Sequence, residues 1–139
     1  MSRDALKLST FANMTKMLAN LSTCKRRKQA SMIISSDYQH VYGLGYNGAP
    51  AKCSHCEGID RGKNGCGCVH AELNACLKAC IPPGEKCILI CTQTPCLRCA
   101  QAIINKQSIR TVFFLTQHEN TDGLDALKEA GILWICLTY

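Results

Sequence analysis

The chain has 139 residues, enough for one ordinary domain with one sizeable core, which we expect to span residues 1–139. Hydrophobic residues make up 47% and charged residues 19%, a balance typical of a globular protein and not of a disordered, collagen-like or membrane-spanning chain. The formal net charge of +6 suits anionic ligands and does not by itself require nucleic acid. Segment 1–7 is charged and polar, without the apolar stretch of a signal peptide, so we expect a cytoplasmic protein.

The first half of the chain predicts one helix and a pair of strands. Apolar residues recur at helical spacing over residues 4–21, which indicates an amphipathic helix. Gln29–Ser36 and His40–Tyr46 are predicted strands, and the turn signal Ser35-Ser36-Asp37 between them indicates a hairpin. Segment 47–68 is rich in Gly, Pro and Cys and too long for an ordinary loop, so we expect it to be functional or held by a metal.

Helices and strands alternate in the second half of the chain. The predicted elements are helix 71–80, strand 86–92, a helix from Pro95 through Ile104, strand 110–115, a helix around Leu124–Lys128 and strand 132–138. The complete order is α-β-β-α-β-α-β-α-β. We therefore predict an α/β fold, a three-layer α-β-α sandwich in which a five-stranded mixed sheet has helices on both faces.

Two short motifs provide the chemistry: H-A-E at residues 70–72 and P-C-L-R-C at residues 95–99. His70, Cys96 and Cys99 offer one imidazole and two thiols, which leaves open the fourth position of a catalytic zinc site. Both motifs lie at predicted helix starts, where the helix dipole lowers the pKa of a cysteine toward the thiolate that a metal needs. Glu72, two residues from His70, can stand beside the metal without binding it and move protons.

Each motif alone has an ordinary explanation. An isolated H-x-E on a helix is usually a surface pair, and an isolated C-x-x-C can be redox-active or structural. Together, in this order and with a proline before the first cysteine, they are typical of zinc nucleobase deaminases.

Four segments of the chain resemble the cytidine deaminase-like superfamily and, within it, the deoxycytidylate deaminases of viral and bacterial type. The segments are G-Y-N-G-A-P at 45–50, H-A-E-L-N-A at 70–75, T-Q-T-P-C-L-R-C-A at 92–100 and G-L-D-A-L-K-E-A-G-I at 123–132. The resemblance covers most of the chain from residue 25 onward. It implies zinc-dependent hydrolytic deamination of dCMP to dUMP and ammonia, a step that feeds dTTP synthesis.

The resemblance also implies site residues and partners. His70, Cys96 and Cys99 would bind the catalytic zinc, with Glu72 as the proton shuttle. Substrate would be contacted by Asn47, Ala71 and Thr94. Asn47 would contact the sugar, although Asn47-Gly48 is also an ordinary turn sequence. Such proteins commonly form homohexamers activated by dCTP and inhibited by dTTP with Mg²⁺, and this regulation involves residues near Gly45, Tyr46 and Gly48.

The basic run at residues 25–28 has two open interpretations. Arg26, Arg27 and Lys28 could bind the phosphates of substrate or effector, or they could form a solvated surface. The sequence departs from the family pattern at three places, and the last of them bears on nucleotide positioning or regulation. The family's V-G-A reads Gln29-Ala30-Ser31, Gln93 replaces a leucine, and segment 117–120 lacks a tyrosine.

The chain contains twelve cysteines, an extreme number for its length. Without a leader peptide, metal binding explains them better than disulfides. Cys53, Cys56, Cys66 and Cys68 can form a second, structural zinc site, and His55 could replace one thiol. In viral members of the family, a ligand precedes the first strand, so Cys24 is a candidate to displace Cys53 or Cys56. The alternative is free buried thiols. The remaining cysteines are predicted core residues: Cys76, Cys80, Cys87, Cys91 and Cys136.

Other functions remain open at this stage. A bifunctional dCMP/dCTP deaminase has the same motifs. A tRNA adenosine deaminase would need a more basic surface and a C-terminal helix, whereas this chain ends on a predicted strand. A non-catalytic zinc module that binds nucleic acid would have no use for Glu72. We expect no membrane partner and no nucleic-acid substrate.

Overall fold

Helices and strands alternate in the described part of the chain in the order predicted from the sequence. The computed structural model describes residues 1–54, 56–58 and 65–137. Its elements are α1 (Arg3–Leu18), a 3₁₀ turn (Ala19–Leu21), β1 (Ala30–Ser35), β2 (Val41–Tyr46), α2 (Ala71–Lys78), β3 (Cys87–Gln93), α3 (Leu97–Lys106), β4 (Ile109–Thr116), α4 (Asp122–Glu129) and β5 (Leu133–Cys136). No helix among these residues is long and apolar enough to span a membrane.

The five strands form one mixed sheet in the order β2-β1-β3-β4-β5. Strand β1 is antiparallel to both β2 and β3, which confirms the predicted hairpin, and β3, β4 and β5 are parallel. This topology brings the start of β1 and the ends of β2, β3 and β4 to the same edge of the sheet. Residues that flank those strand ends are therefore close in space although they are far apart in sequence.

Apolar side chains cover both faces of the sheet, which confirms the predicted three layers. On one face, Ala12 of α1 packs with Met32, Ile34 and Ile90. On the other face, residues of α2, α3 and α4 pack against β1, β3 and β4, and this larger cluster includes Ala75, Ile103, Leu127, Leu89 and Phe114. Burying each large aliphatic side chain contributes about 1.5–3 kcal/mol. The two clusters thereby fix the helices against the sheet.

Several predicted boundaries differ in detail from the observed ones, and the start of α3 matters most for the site. Helix α3 begins at Leu97, not at Pro95, and Cys96 is its N-cap residue with extended backbone angles of φ −72° and ψ 170°. Cys99 therefore lies in the first turn of α3, whereas Cys96 precedes it. Strand β5 ends at Cys136, short of the predicted 138, which lies outside the described residues.

Strand β2 touches the backbone of helix α2 through a glycine. A Cβ atom built on Gly45 would lie 2.5 Å from both the Ala71 carbonyl oxygen and the Ala75 nitrogen. Both contacts are backbone atoms and cannot rotate away. The absence of a side chain at Gly45 thus sets how closely α2 approaches the sheet.

We expect Gly45→Ala to lower the free energy of unfolding by about 1–3 kcal/mol or more, because α2 has to shift to admit the methyl group. Urea denaturation measures the change. Leu44→Ala is the matched control, since Leu44 is the adjacent residue of the same strand and is 40% exposed. Equal stability of the two variants would contradict the packing argument.

Candidate active site

The N-termini of helices α2 and α3 converge at the edge of the sheet where β3 ends. His70 is the N-cap residue of α2 and Cys96 is that of α3, and neither side chain caps its own helix. The imidazole and the thiol face each other instead. His70 Nδ1 lies 3.5 Å from Cys96 Sγ and 3.3 Å from Cys99 Sγ.

The spacing of these three side chains fits a metal ion. Their ligand atoms lie within 4.8 Å of one another. Zinc binds nitrogen at about 2.0–2.1 Å and sulfur at about 2.3 Å, so the ligand atoms of a tetrahedral site are about 3.5–3.8 Å apart. One imidazole and two thiols complete three corners of a tetrahedron. This is the donor set of a zinc site that keeps one position open for chemistry.

Hydrogen bonds among the three groups favour the thiolate form of Cys96. A hydrogen bond with Cys99, assisted by His70, lowers the pKa of Cys96 to about 3. The same bond with Cys96, together with burial, raises the pKa of Cys99. The pKa of His70 is raised by its hydrogen bond with Cys96, in spite of an opposing effect of burial. The lowered pKa of Cys96 favours the thiolate form in which a cysteine binds a metal.

Glu72 lies in the first turn of α2 with only 7% of its surface exposed. Burial raises the pKa of its carboxyl, while the positive charge of His70 acts in the opposite direction. Glu72 lines the same cavity as His70 and Cys96. A carboxylate that takes up a proton more readily than usual, beside a zinc site, is suited to proton transfer.

A cavity of about 380 Å³ opens over the triad and Glu72, a size that accommodates a small ligand. Its other lining residues are mostly polar or positively charged. They include Arg26, Arg27, Gln29, Asn47, Gln93, Thr94, His118 and Asn120. The predicted substrate residues Asn47 and Thr94 are therefore in the cavity wall, and so are two arginines of the basic run.

The side chain of Asn47, which follows β2, forms hydrogen bonds with the segment that precedes β1. Its Oδ1 accepts hydrogen bonds from Ser22 Oγ at 2.5 Å and from the Gln29 backbone N–H at 2.8 Å. Its Nδ2 donates to the Arg27 carbonyl oxygen at 2.8 Å. One N–H of the Nδ2 group is left without a partner among the described residues, so Asn47 can approach a ligand as a donor. The structure gives this residue more contacts than an ordinary turn requires.

Thr94 connects the ends of β3 and β4. Its hydroxyl contacts the Thr116 carbonyl oxygen at 3.3 Å and accepts from the His118 backbone N–H at 3.0 Å. Sequence reasoning assigned nothing to His118 and did not select Asn120. Their position after β4, at the edge where β3 also ends, is the signal that could have identified them, because ligands of such sheets bind outside the carboxyl ends of strands.

Several predicted residues lie elsewhere. Ala71 is buried at the start of α2, and Gly45 lies against its carbonyl oxygen. Gly48 packs on Thr23 and pairs with Val69, while the Tyr46 ring lies 5.7 Å from Lys78 Nζ. These positions and Lys28 are not part of the cavity lining. Effector binding at Gly45, Tyr46, Gly48 and Lys28 stays a prediction.

A second cluster of thiols lies beside the cavity. Cys24, Cys56, Cys66 and Cys68 have sulfur atoms within 4.8 Å of one another. Cys24 Sγ is 3.6 Å from Cys66 Sγ and 4.0 Å from Cys56 Sγ, close to the separation of about 3.8 Å in a tetrahedral zinc site with four thiolates. All twelve cysteines lie in the described part of the chain, and all are free.

The predicted quartet is wrong at one position. Cys53 is exposed after a turn in which its N–H donates to the Pro50 carbonyl oxygen, so it does not join the cluster. Cys24 takes its place, as the resemblance to viral members allowed. His55, the other predicted substitute, lies outside the described residues.

Hydrogen bonds from backbone N–H groups lower the pKa of two of the four thiols. Hydrogen bonds from Lys25 and Gly58 lower the pKa of Cys56 to about 6. Burial opposes ionisation of Cys24, but hydrogen bonds from Arg27 and Arg26 outweigh it and lower its pKa. Burial raises the pKa of Cys68. The cluster thus combines two thiols of lowered pKa with a half-buried thiol of raised pKa, and a bound metal would favour the thiolate form of every ligand.

The fold, the His-Cys-Cys triad and the adjacent buried carboxylate together are typical of zinc-dependent deaminases that act on nucleobases. The chain belongs to the family described as the cytidine and deoxycytidylate deaminase zinc-binding region, which matches residues 6–116.

Individual relatives agree with this assignment. The chain is 29% identical to the deoxycytidylate deaminase of Saccharomyces cerevisiae over 134 residues, which covers 89% of this chain and 42% of the yeast protein. It is also 29% identical to that of Mycobacterium phage D29, over 74% of this chain and 90% of the phage protein. The chain spans about two fifths of the length of the yeast relatives that it matches.

Among solved structures, a dCMP deaminase from the cyanophage S-TIM5, determined in complex with dCMP and dUMP, has the same fold. The TM-score is 0.83, the sequence identity is 23%, and 99% of each chain is covered. This confirms the predicted fold over nearly the whole chain.

We expect Asn47→Ala to lower the free energy of unfolding by about 1–3 kcal/mol, because the Gln29 N–H loses its acceptor and the Arg27 carbonyl oxygen loses its donor, while Ser22 keeps only the backbone carbonyl of residue 47. Urea denaturation measures the loss. Asn105→Ala is the control, since Asn105 is exposed on α3, where alanine is at least as favourable. A similar small change in both variants would mean that the Asn47 network contributes nothing.

Proposed function

We propose that this protein is a zinc-dependent hydrolytic deaminase that converts dCMP and water to dUMP and ammonia. The observation that supports this best is the buried Glu72 carboxyl, which lines one cavity with His70 and Cys96, two members of the triad that Cys99 completes. A purely structural metal site has no use for a neighbouring carboxyl of this kind. The choice of dCMP rests on the deoxycytidylate deaminases among the relatives.

The zinc ligands and Glu72 have separate roles in the reaction. When bound by His70, Cys96 and Cys99, zinc supplies a Lewis acid that brings the pKa of a water molecule close to neutrality. Glu72 accepts one proton of that water on its carboxylate and delivers it to N3 of the cytosine ring as the water oxygen adds to C4. It then takes the second proton from the hydroxyl now on C4 and delivers it to the amino group, which leaves as ammonia when the C4–N bond breaks. A raised pKa suits Glu72 to both steps, because it must hold the proton and then release it.

The polar walls orient the nucleotide. The remaining N–H of Asn47 Nδ2 is available to a sugar oxygen, in line with the sugar contact predicted from the resemblance. Arg26 and Arg27 place two exposed positive charges at the cavity, where a guanidinium group can pair with a phosphate. Phosphate binding by these residues is therefore part of the proposal.

The four-thiol cluster fits a second, structural zinc ion. Cys68 lies two residues before His70, and Cys24 lies two residues before Arg26, so one ion would join the segment that holds a catalytic ligand to the segment that holds a phosphate ligand. Such an ion would also fix backbone that has little apolar core of its own. A reducing, cytoplasmic environment is part of this proposal, since thiolate ligands must stay reduced.

Assembly and regulation are proposed on resemblance alone. They comprise a homohexamer, activation by dCTP, inhibition by dTTP, and Mg²⁺ bound with the effector. Three functions compete with this proposal: deamination of dCTP, deamination of tRNA adenosine, and nucleic-acid binding without catalysis. An assay of ammonia release from each candidate substrate separates them.

We expect the zinc-loaded protein to release ammonia from dCMP faster than from dCTP, cytidine or a tRNA anticodon stem-loop. Glu72→Gln should lower kcat on dCMP by a factor of about 10²–10⁴ without loss of zinc, because the proton shuttle is removed and no ligand is. Glu129→Gln is the control, since Glu129 is exposed on α4. Full activity of Glu72→Gln would refute the mechanism, and activity confined to another substrate would refute the assignment to dCMP.

For the structural ion, we expect two zinc equivalents per wild-type chain. Cys24→Ser should reduce the content to one, because a serine hydroxyl is a poor zinc ligand, whereas Cys53→Ser should leave two. Atomic emission on dialysed, folded protein gives the count. One equivalent in fully loaded wild-type protein, or loss of metal from the Cys53 variant, would contradict the assigned quartet.

A further inference from the structure

Two glutamine side chains meet in the wall of the active-site cavity. Gln29 precedes β1 and Gln93 ends β3, and the antiparallel pairing of these strands brings them together. Gln29 Nε2 donates a hydrogen bond to Gln93 Oε1 at 2.9 Å. Both belong to the departures from the family pattern noted in the sequence, so the two unusual residues form a single pair.

A backbone N–H sets the direction of the hydrogen bonds in this pair. The Ala30 N–H donates to Thr92 Oγ1 at 3.1 Å, and this donor cannot be reversed. The Thr92 hydroxyl therefore uses its own hydrogen on another acceptor. That acceptor is Gln29 Oε1, since the alternative, the Ala30 carbonyl oxygen, lies farther away at 3.4 Å. With its oxygen on Thr92, Gln29 can turn only its N–H group toward Gln93.

The consequence is an oriented amide at the cavity. Because the Oε1 of Gln93 accepts from Gln29, its Nε2 group keeps both N–H donors, and neither has a protein partner among the described residues. A half-buried amide that loses its water when a ligand enters costs free energy unless the ligand accepts its hydrogen bond. The cavity wall at Gln93 therefore favours a ligand with an acceptor atom.

We propose that Gln93 is a specificity-determining residue that donates a hydrogen bond to an oxygen of the base or the sugar of the nucleotide substrate, and that Ala30, Thr92 and Gln29 hold its amide in the donor orientation. The proposal rests on the proposed function. The 2-oxygen of cytosine and the 3′-oxygen of the sugar are both acceptors of this kind. An apolar side chain at Gln93 would offer neither of them a donor.

The test measures KM and kcat for dCMP in Gln93→Met and Gln93→Glu. Methionine keeps the volume and removes the donors, so KM should rise about five- to tenfold while kcat changes little. Glutamate replaces the donors with a charged acceptor and should raise KM further. Gln101→Met is the matched control, since Gln101 is exposed on α3, away from the cavity.

Two substrate analogues identify the oxygen. If the contact is to the sugar, the Gln93→Met penalty should vanish with 2′,3′-dideoxycytidine monophosphate. If it is to the base, the penalty should shrink with 2-thio-dCMP, whose sulfur is a weaker acceptor. A penalty that is the same on all three substrates would overturn the proposal.

The hydrogen bonds that orient the Gln93 amide are tested by Thr92→Val, which removes the hydroxyl that fixes Gln29. We expect Thr92→Val to raise KM by itself and to add little in combination with Gln93→Met, since both act on one contact. Additive effects of the two changes would contradict the role assigned to Thr92.

Binding measurements distinguish a failure of the role of Gln93 from a failure of the proposed function. The Kd of dCMP is measured by calorimetry on zinc-loaded Glu72→Gln protein, with and without Gln93→Met, after thermal unfolding has shown that both are folded. Unchanged KM and Kd in an enzyme that deaminates dCMP would overturn the role of Gln93 alone. A wild-type protein that deaminates none of the substrates would overturn the proposed function, and an unchanged Kd in that case would overturn the role of Gln93 as well.

Discussion

The convergence of two helix N-termini is the arrangement on which the rest of the site depends. Each N-cap residue, His70 in α2 and Cys96 in α3, leaves its helix uncapped and turns its side chain toward the other. The uncapped N–H groups and the helix dipoles favour negative charge there, which suits thiolates and a carboxylate. Placing the two helices side by side requires the close contact at Gly45 and the shared packing of α2 and α3 on one face of the sheet.

The sequence was sufficient for features whose information is local. Element order followed from periodicity and turn residues, and the proximity of His70, Cys96 and Cys99 was expected from two short motifs with distinct spacing. The boundary of α3 was missed because Pro95 fits a first helical position, whereas Cys96 adopts an extended backbone that aims its thiol at His70. That choice is made by the tertiary contact and not by the local sequence.

Features that join distant segments were harder to predict. Cys24 was a candidate through the resemblance alone, because nothing near it distinguishes it as a partner of Cys66, 42 residues away, and Cys53 has the better local spacing with Cys56. Gln29 and Gln93 were visible only as separate departures from a pattern. Their pairing depends on the register of β1 against β3, which places Ser31 opposite Cys91. Strand register is set by the whole sheet and is not readable from either strand alone.

The separations along the chain determine when the site can form. The contacts between His70 and Cys99, Cys24 and Cys66, and Gln29 and Gln93 span 29, 42 and 64 residues. Closing such loops costs chain entropy before any of these contacts is made, so they form late compared with turns and helices. The strands β1 and β3 must pair before the cavity has walls. We therefore expect the candidate metal ligands to come together only after the strands that carry them have paired.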